Sequence, residues 1–424
     1  MVNERLVADL ARPAWTALWT ALWTALWAAL LICVATTAAS ESRAADWPSW
    51  RGVNGDGISS ETGWRTTFSD GGPRIAWEKQ LGVGFGSVAV RDGLIYAMGW
   101  RDGKDFIYCI EAKSGDVKWQ EYYPSERYDK NHKGGPAATP ALDGDRVYTV
   151  SKEAVVHCLD AGTGEGRWRV NLVEKFDVSV PQWGFSGSAI VLGRMVLVDV
   201  GRIVALDKKT GRTIWKTEDY GSAYSTPMPF KIGAKQLVAA FPAAGLVVLD
   251  ATRGKQIATH KWETSYKVNS ATPIVDGNLI FITSGYNTGA ALLRLDGSGL
   301  EVLWENKQMK GKMATPILID GHLYGFDEGK LKCVELRTGQ QKWDARGMGL
   351  GTLTAADGRL IVLSEQGKLV IARASPDGFQ SLDEAQIFDE DQGWIVPVLA
   401  GGRIYCRSGS GRLVCIDVGG DGGP

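Results

Sequence analysis

Reactive side chains are plentiful in this sequence, but few stand in arrangements that do chemistry. The four histidines, His132, His157, His260 and His322, lie far apart, without the close spacing of metal ligands. Cys109, Cys158, Cys333, Cys406 and Cys415 form no C-x-x-C cluster of the kind that holds zinc. Asn54-Gly55-Asp56-Gly57 has the start of a calcium loop without its ligand ladder or distal Glu, and reads as a turn. Gly184-Phe185-Ser186-Gly187 does not fit the Gly-x-Ser-x-Gly of a nucleophile elbow. No glycine-rich phosphate loop opens a predicted helix, and Asp389-Glu390-Asp391 read as a solvated charge run. The expectation is no catalytic residue, no metal site and no bound cofactor.

What remains is binding chemistry. One stretch gathers Tyr122, Tyr123, Arg127, Tyr128, Asp129, Lys130, Asn131, His132 and Lys133, aromatic and charged types that are enriched at recognition surfaces but also suit a solvated loop. A second holds Trp183, Phe185 and Ser186, with related aromatic and small runs at Tyr220 to Ser225 (including Tyr224), at Tyr266, Lys267 and Asn269, and at Gly393-Trp394. Such rings stack flat or sugar-like ligands, and Lys267, Lys310 and Lys312 suit an anion. Packing around a channel is the alternative for all of them.

These residues need a frame. The formal net charge is -1, from 47 basic and 48 acidic residues, so no sequence-wide field favours nucleic acid. Arg5 and Arg12 precede an uncharged run from Pro13 to Ser40 with three near-tandem Trp-Thr-Ala-Leu units. A positive flank before an apolar run is an export signal, cleaved near Ala38 to Ala45 or kept as an anchor, since about 20 residues span a bilayer. Residues 1–45 are therefore expected to be a signal peptide or signal anchor, and the protein to be periplasmic or otherwise in the cell envelope, touching membrane only there. Ile32 stands before Cys33 where a lipidation signal wants a small residue.

The remaining chain is rich in Gly and Trp, with 53 and 17 in all, and one pattern accounts for both. It reads small, apolar, acid, two residues, Thr or Ser, Gly, then Trp. Clear copies run from Cys109 to Trp119 through Gly115, Cys158 to Trp168 through Asp160 and Gly164, Ala205 to Trp215 through Asp207 and Gly211, and Cys333 to Trp343 through Gly339. Degenerate copies begin at Val248 (with Asp250 and Trp262), Leu293 (with Trp304), Ala372 and Cys415, so that starts are 39 to 49 residues apart. That period suits four-stranded propeller blades. The acid is expected to cap the turn, the Gly to take a positive φ, and each Trp to staple one blade to the next. The last copy lacks its Trp, whereas Trp77 lacks a preceding motif, so the strand at Ile75-Ala76-Trp77-Glu78 is expected to complete the C-terminal blade. The expected fold is all-β: an eight-bladed β-propeller with four-stranded antiparallel blades over 75–418, closed by N- and C-terminal strands in one blade, after a lead-in at 46–74 and before a Gly-rich tail at 419–424. Cysteines at the small position read as buried packing residues. Cys406 and Cys415, on neighbouring strands, leave a disulfide as an alternative.

Ala205-Leu206-Asp207 through Thr210-Gly211 to Trp215 resembles the repeat shared by quinoprotein dehydrogenases and the outer-membrane assembly factor BamB. Asp46-Trp47-Pro48-Ser49-Trp50-Arg51-Gly52 is similar to the opening of BamB-like propellers of planctomycete-type bacteria. The resemblance implies a monomeric envelope propeller that binds a protein or extracellular ligand. Its other branch implies a quinoprotein dehydrogenase with pyrroloquinoline quinone and calcium, for which the adjacent cysteine pair, legible calcium ligands and a Cys-x-x-Cys-His haem motif are missing here. A carbohydrate-binding or polymer-binding propeller is a third reading.

Overall fold

Each repeat folds as one antiparallel four-stranded sheet, because short β-branched runs alternate with Asp-Gly turns at a spacing that lets the chain double back three times. The computed structural model describes residues 45–389 and 393–420; all but Ala45 of the segment read as an export signal lies outside them, as do Glu390 and Asp391 of the charge run. The described residues form eight such sheets. Blades 1 to 7 span 89–124, 141–171, 190–216, 228–261, 274–306, 317–345 and 352–386. Blade 8 combines Val398–Ala400, Arg403–Arg407 and Arg412–Asp417 with Ile75–Gln80, whose Trp77 lies opposite Cys415. The expected closure is thus the observed one, and it hides a sheet edge that would otherwise be open to pairing.

The repeat residues explain how blades adhere. In strand register the small residue faces the Trp on one side and an aromatic residue on the other: Tyr96, Cys109 and Trp119 in blade 1, Tyr148, Cys158 and Trp168 in blade 2, Tyr324, Cys333 and Trp343 in blade 6. The two rings close over the small side chain, with centroids 5.9 Å apart for Tyr96 and Trp119 and 6.0 Å for Tyr324 and Trp343. A bulge follows each pair and turns the Trp toward the next blade. There the Trp119 indole donates to the Ala161 carbonyl at 2.9 Å, and the Tyr96 hydroxyl donates to the same oxygen at 3.0 Å. Trp168 and Tyr148 converge likewise on the Lys208 carbonyl. Trp77, Trp215, Trp304 and Trp343 each donate to a carbonyl of the following blade, whereas Trp262 donates to the Ser284 hydroxyl, because blade 5 carries a degenerate turn.

The acid and the Gly build the receiving surface. Asp160, Asp207 and Asp250 each accept two backbone N–H bonds two and three residues on, which fixes the turn. At Gly164 the backbone has φ +81°, and a Cβ would stand 2.7 Å from the Trp119 ring. The core therefore lies between blades: Trp119, Tyr96 and Ile107 of blade 1 pack with Val147 and Leu159 of blade 2.

Cys406 and Cys415 do not bond. Cys406 lies opposite Val414, and Cys415 opposite Tyr405, so the two thiols leave the strands on opposite faces and join different clusters. All five described cysteines are buried and free.

The staple geometry predicts that Trp119→Ala costs about 3–5 kcal/mol through lost burial and cavity formation. Gly164→Ala, which adds one methyl against the ring in a left-handed backbone, is expected to cost roughly 2 kcal/mol. Chemical denaturation midpoints at constant m-value check both.

Candidate functional site

The connections from each outermost strand to the next innermost strand meet on one face, around the channel, and the turns between the two middle strands reach the same face. Below them, short innermost strands are tied by hydroxyls: the N–H groups of Ser87, Thr139 and Ser188 donate to Thr139 Oγ1, Ser188 Oγ and Thr226 Oγ1, and Thr272 N–H donates to Thr315 Oγ1. These bonds pass from one blade to the next and hold the channel narrow.

The lead-in segment closes this channel from the other side. Trp47 bridges to Val90 of blade 1, and Ile58–Ser59 adds a parallel strand to blade 7. Between them Arg51, 5% exposed, donates to the Thr315 and Pro316 carbonyls. Burial lowers its pKa to about 10. Trp50 stands next to it, with its indole N–H on Thr272 Oγ1 at 2.9 Å. The channel mouth is thereby a cup of about 290 Å³ with Trp50 among its lining residues.

The cup is aromatic and cationic. Phe85, Trp183, Tyr224, Tyr286 and Trp394 line it with Trp50, together with His132, Lys152 and Lys312, and no carboxylate lines it among the described residues. Phe85 stacks on Trp394 at 5.6 Å and meets His132 edge-on at 5.4 Å; Trp183 and Tyr224 are 5.7 Å apart. The long loops are held by a turn of blade 2. Lys152 Nζ donates to the Trp183 carbonyl at 2.8 Å, and Glu153 accepts from Glu126 N–H at 3.2 Å. The Trp183 indole then donates to the Lys130 carbonyl, tying one loop to the other. Burial lowers the Lys152 pKa to about 8, against the pull of Asp105 and Glu153, and burial with nearby Lys152 lowers His132 to about 4.

On the rim, Tyr266 is 71% exposed and meets Tyr286 edge-on at 5.5 Å, while Lys312 Nζ lies 4.8 Å from the Tyr286 ring centre. Tyr266, Lys267, Tyr286 and Asn287 all have φ between 55° and 66°, a region that non-glycine residues occupy at a cost.

Of the residues picked out by sequence, the structure brings Asn131, His132, Trp183, Ser186, Tyr224, Lys312 and Trp394 into the cup and sets Tyr266 and Lys267 at its rim. The others stand elsewhere. Tyr122 and Tyr123 belong to the outer strand Val117–Pro124, which runs further than the loop reading assumed. Tyr122 is exposed beneath Lys104, and Tyr123 is stacked on His157 at 4.3 Å. Arg127 braces its own loop through the Lys133 carbonyl. Phe185 is buried in the core between blades 2 and 3. Asn269, fully buried, bonds the Pro242 and Trp262 carbonyls and accepts from Ser284, a packing role. Lys310 is neutralised by Asp327 and Glu328. Sequence reasoning missed Trp50, Phe85, Lys152 and Tyr286. Lys152 and Tyr286 lie in turns between middle strands, and the strand pattern before each marks them.

A family profile described as outer membrane protein assembly factor BamB matches residues 107–345. The chain belongs to that family. It is 25% identical to BamB of Yersinia pestis over 303 residues, covering 65% of this chain and 72% of that protein. Among solved structures, BamB from Moraxella catarrhalis superposes with a TM-score of 0.60 at 17% identity, covering 81% of this chain and 99% of that one. Quinohemoprotein alcohol dehydrogenase from Comamonas testosteroni gives 0.64 at 14% identity, covering 91% and 82%. At such identities the solved structures share the fold.

The cup's donors do not fit a quinone held by calcium. Calcium takes six to eight oxygen ligands, usually including carboxylates, whereas the described residues contain no group of three or more His, Cys, Asp or Glu placed for a metal, and the cysteines are spent inside blades. Titration with pyrroloquinoline quinone is accordingly expected to give the same heat with calcium as with a chelator; a calcium-dependent heat would contradict this donor set.

Behind the Lys152 wall, Asp105 is fully buried between blades 1 and 2, facing the Tyr123 hydroxyl and Ser125 without a well-formed hydrogen bond. Desolvation raises its pKa to about 7. The carboxyl is ionised above about pH 4 in the unfolded chain but keeps its proton in the fold, so it disfavours folding increasingly between pH 4 and 7. His132 and His157, lowered to about 4, act in the opposite sense over the same range and mask it in the whole protein. Asp105→Asn is therefore expected to gain about 2 kcal/mol relative to the unsubstituted protein on going from pH 5 to pH 7, read from denaturation curves at both pH values.

Proposed function

We propose that this BamB-family propeller is an exported, non-catalytic scaffold of the cell envelope that binds a protein partner or ligand at the loop-rich face. The observation that carries this reading is the cup: a blind, aromatic recess opening on one face, with Lys152 fastening its walls and no nucleophile paired to a base among the described lining residues. Membership in a family named for outer membrane protein assembly supports the envelope setting. The export signal read at residues 1–45 supports it independently. An exposed tyrosine pair at the rim supports recognition, since Tyr presents large, rigid contact area with a polar tip.

Photo-crosslinking in intact cells tests this. A crosslinkable residue at Tyr266 or Tyr286 is expected to give a discrete adduct in the envelope fraction that Trp183→Ala weakens. The same group at Asp320, in a turn between the first two strands of blade 6 and so on the opposite face, is expected to give none. Equal adducts from both faces, or none from the rim, would overturn the proposal.

A further inference from the structure

Lys152 poses a problem that the loop-fastening role does not resolve. Its ammonium carries three donors, is 3% exposed, and among the described residues has one acceptor, the Trp183 carbonyl. It forms no ion pair among the described residues, although Asp105 and Glu153 lie near enough to influence it. A buried cation with unfilled donors is costly unless something fills them. Lys152 is among the residues lining the cup, so a ligand seated there lies against it.

The remainder of the lining narrows that ligand. A cavity of about 290 Å³ is at the small end for ligand sites, enough for one ring and its substituent rather than a polymer. Trp50, Phe85, Trp183, Tyr224 and Trp394 surround it with aromatic surface. Lys312 adds a second positive charge at the opposite wall, held over the Tyr286 ring and without an ion-pair partner among the described residues. No arginine fork is present among the described lining residues, which disfavours a doubly charged phosphate that would want bidentate donors.

We propose that the cup binds an aromatic carboxylate end group, its ring over the Trp50 floor among Phe85, Trp183 and Tyr224 and its carboxylate on the Lys152 ammonium. This rests on the cup being the binding site proposed above, and it names the chemistry taken there. Such a group has two sources: a free aryl acid, or the C-terminal aromatic residue of a polypeptide whose preceding residues would cross the rim at Tyr266 and Tyr286.

Calorimetry on the mature protein decides it, with N-acetylphenylalanine, its carboxamide, N-acetylalanine and phenyl phosphate as probes. The expected result is that the acid binds at least tenfold tighter than the amide and than N-acetylalanine, and that Lys152→Met removes the preference for acid over amide. Lys152 also holds the Trp183 loop, so a second readout uses the unsubstituted protein. Affinity for the acid should fall several-fold between pH 7 and pH 9, where Lys152 loses its proton, while affinity for the amide stays constant. The charged and titratable groups around Lys152 are Asp105 on blade 1, Glu153 on its own turn and His132 on the loop; His132, lowered to about 4, does not titrate in that window, whereas Asp105, raised to about 7, completes its ionisation there, so the same fall must persist in Asp105→Asn. Equal binding of acid and amide, tighter binding of phenyl phosphate, or no binding of any probe would overturn the proposal. Comparison of acetyl-Gly-Gly-Phe with phenylacetate separates the sources: a tenfold advantage for the peptide assigns the chain end, and parity assigns the free acid. If the probes fail while the Tyr266 adduct persists, only the ligand class is wrong; if both fail, the cup is not the binding site.

Discussion

The ring depends on one bond repeated at six of its eight blade junctions: an indole N–H crossing from one blade to a backbone carbonyl of the next. A flat sheet surface offers no polar anchor to its neighbour, since its backbone groups are spent within the sheet. The tight turn after the acid leaves one carbonyl unspent, and the Trp reaches it. Where the middle strand also carries Tyr, as at Tyr96 and Tyr148, a second donor converges on that oxygen. Burial of the ring supplies most of the adhesion, at about 25 cal/mol per Å² of apolar surface, but burial alone permits sliding. The directed bonds fix where each blade sits, and so fix the angle that must recur for the ring to close.

Closure has a consequence at the centre. Innermost strands packed this closely leave a narrow channel, and the hydroxyls of Thr139, Ser188, Thr226 and Thr315 fill it by taking N–H bonds from preceding blades. A channel so lined is no recess until something blocks it. The lead-in does so, and Arg51 anchors it by donating to four carbonyls from a buried position. Removing that cation from water is tolerable because those carbonyls replace the lost hydration. Trp50, carried beside Arg51, thereby becomes part of the binding surface rather than of the scaffold.

The fold was legible because its signal is periodic. Trp77, stranded near the start without a motif before it, even located the closing strand, which pairs with Arg412–Asp417. The cysteines were legible as small residues, though their reason was not: Cys109 is small because Tyr96 and Trp119 meet over it, a cross-strand fact with no sequence spacing of its own. The site was legible only in part. Trp183, Tyr224 and Trp394 could be found because connecting loops carry them to the known face. Tyr122 and Tyr123 misled because aromatic residues at a strand end look the same as aromatic residues in a loop until the partner strand Lys104–Glu111 is seen to continue beside them. Asn269, expected at the site, packs in the core, and Trp50, given no role by the sequence reading, lines the cup, since which polar or aromatic residue faces a cavity is decided by neighbours far away in sequence.

Departures from symmetry mark where function resides. Buried polar atoms that lack partners occur singly in several blades, at Asp199 and His260 for example, whereas the space between blades 1 and 2 gathers four such residues, Asp105, Tyr123, Thr149 and His157. Stability alone would replace such groups with apolar ones. They lie directly behind the turn from which Lys152 enters the cup and Glu153 grips the loop at Ser125 and Glu126. On the far rim, four consecutive-pair residues, Tyr266 with Lys267 and Tyr286 with Asn287, hold left-handed backbones that each cost about 1 kcal/mol or more. A repeat that needs only to close has no use for either feature. Both lie on the loop-rich face, at opposite sides of one aromatic cup, and their cost is intelligible if that cup must hold its shape and charge for a ligand.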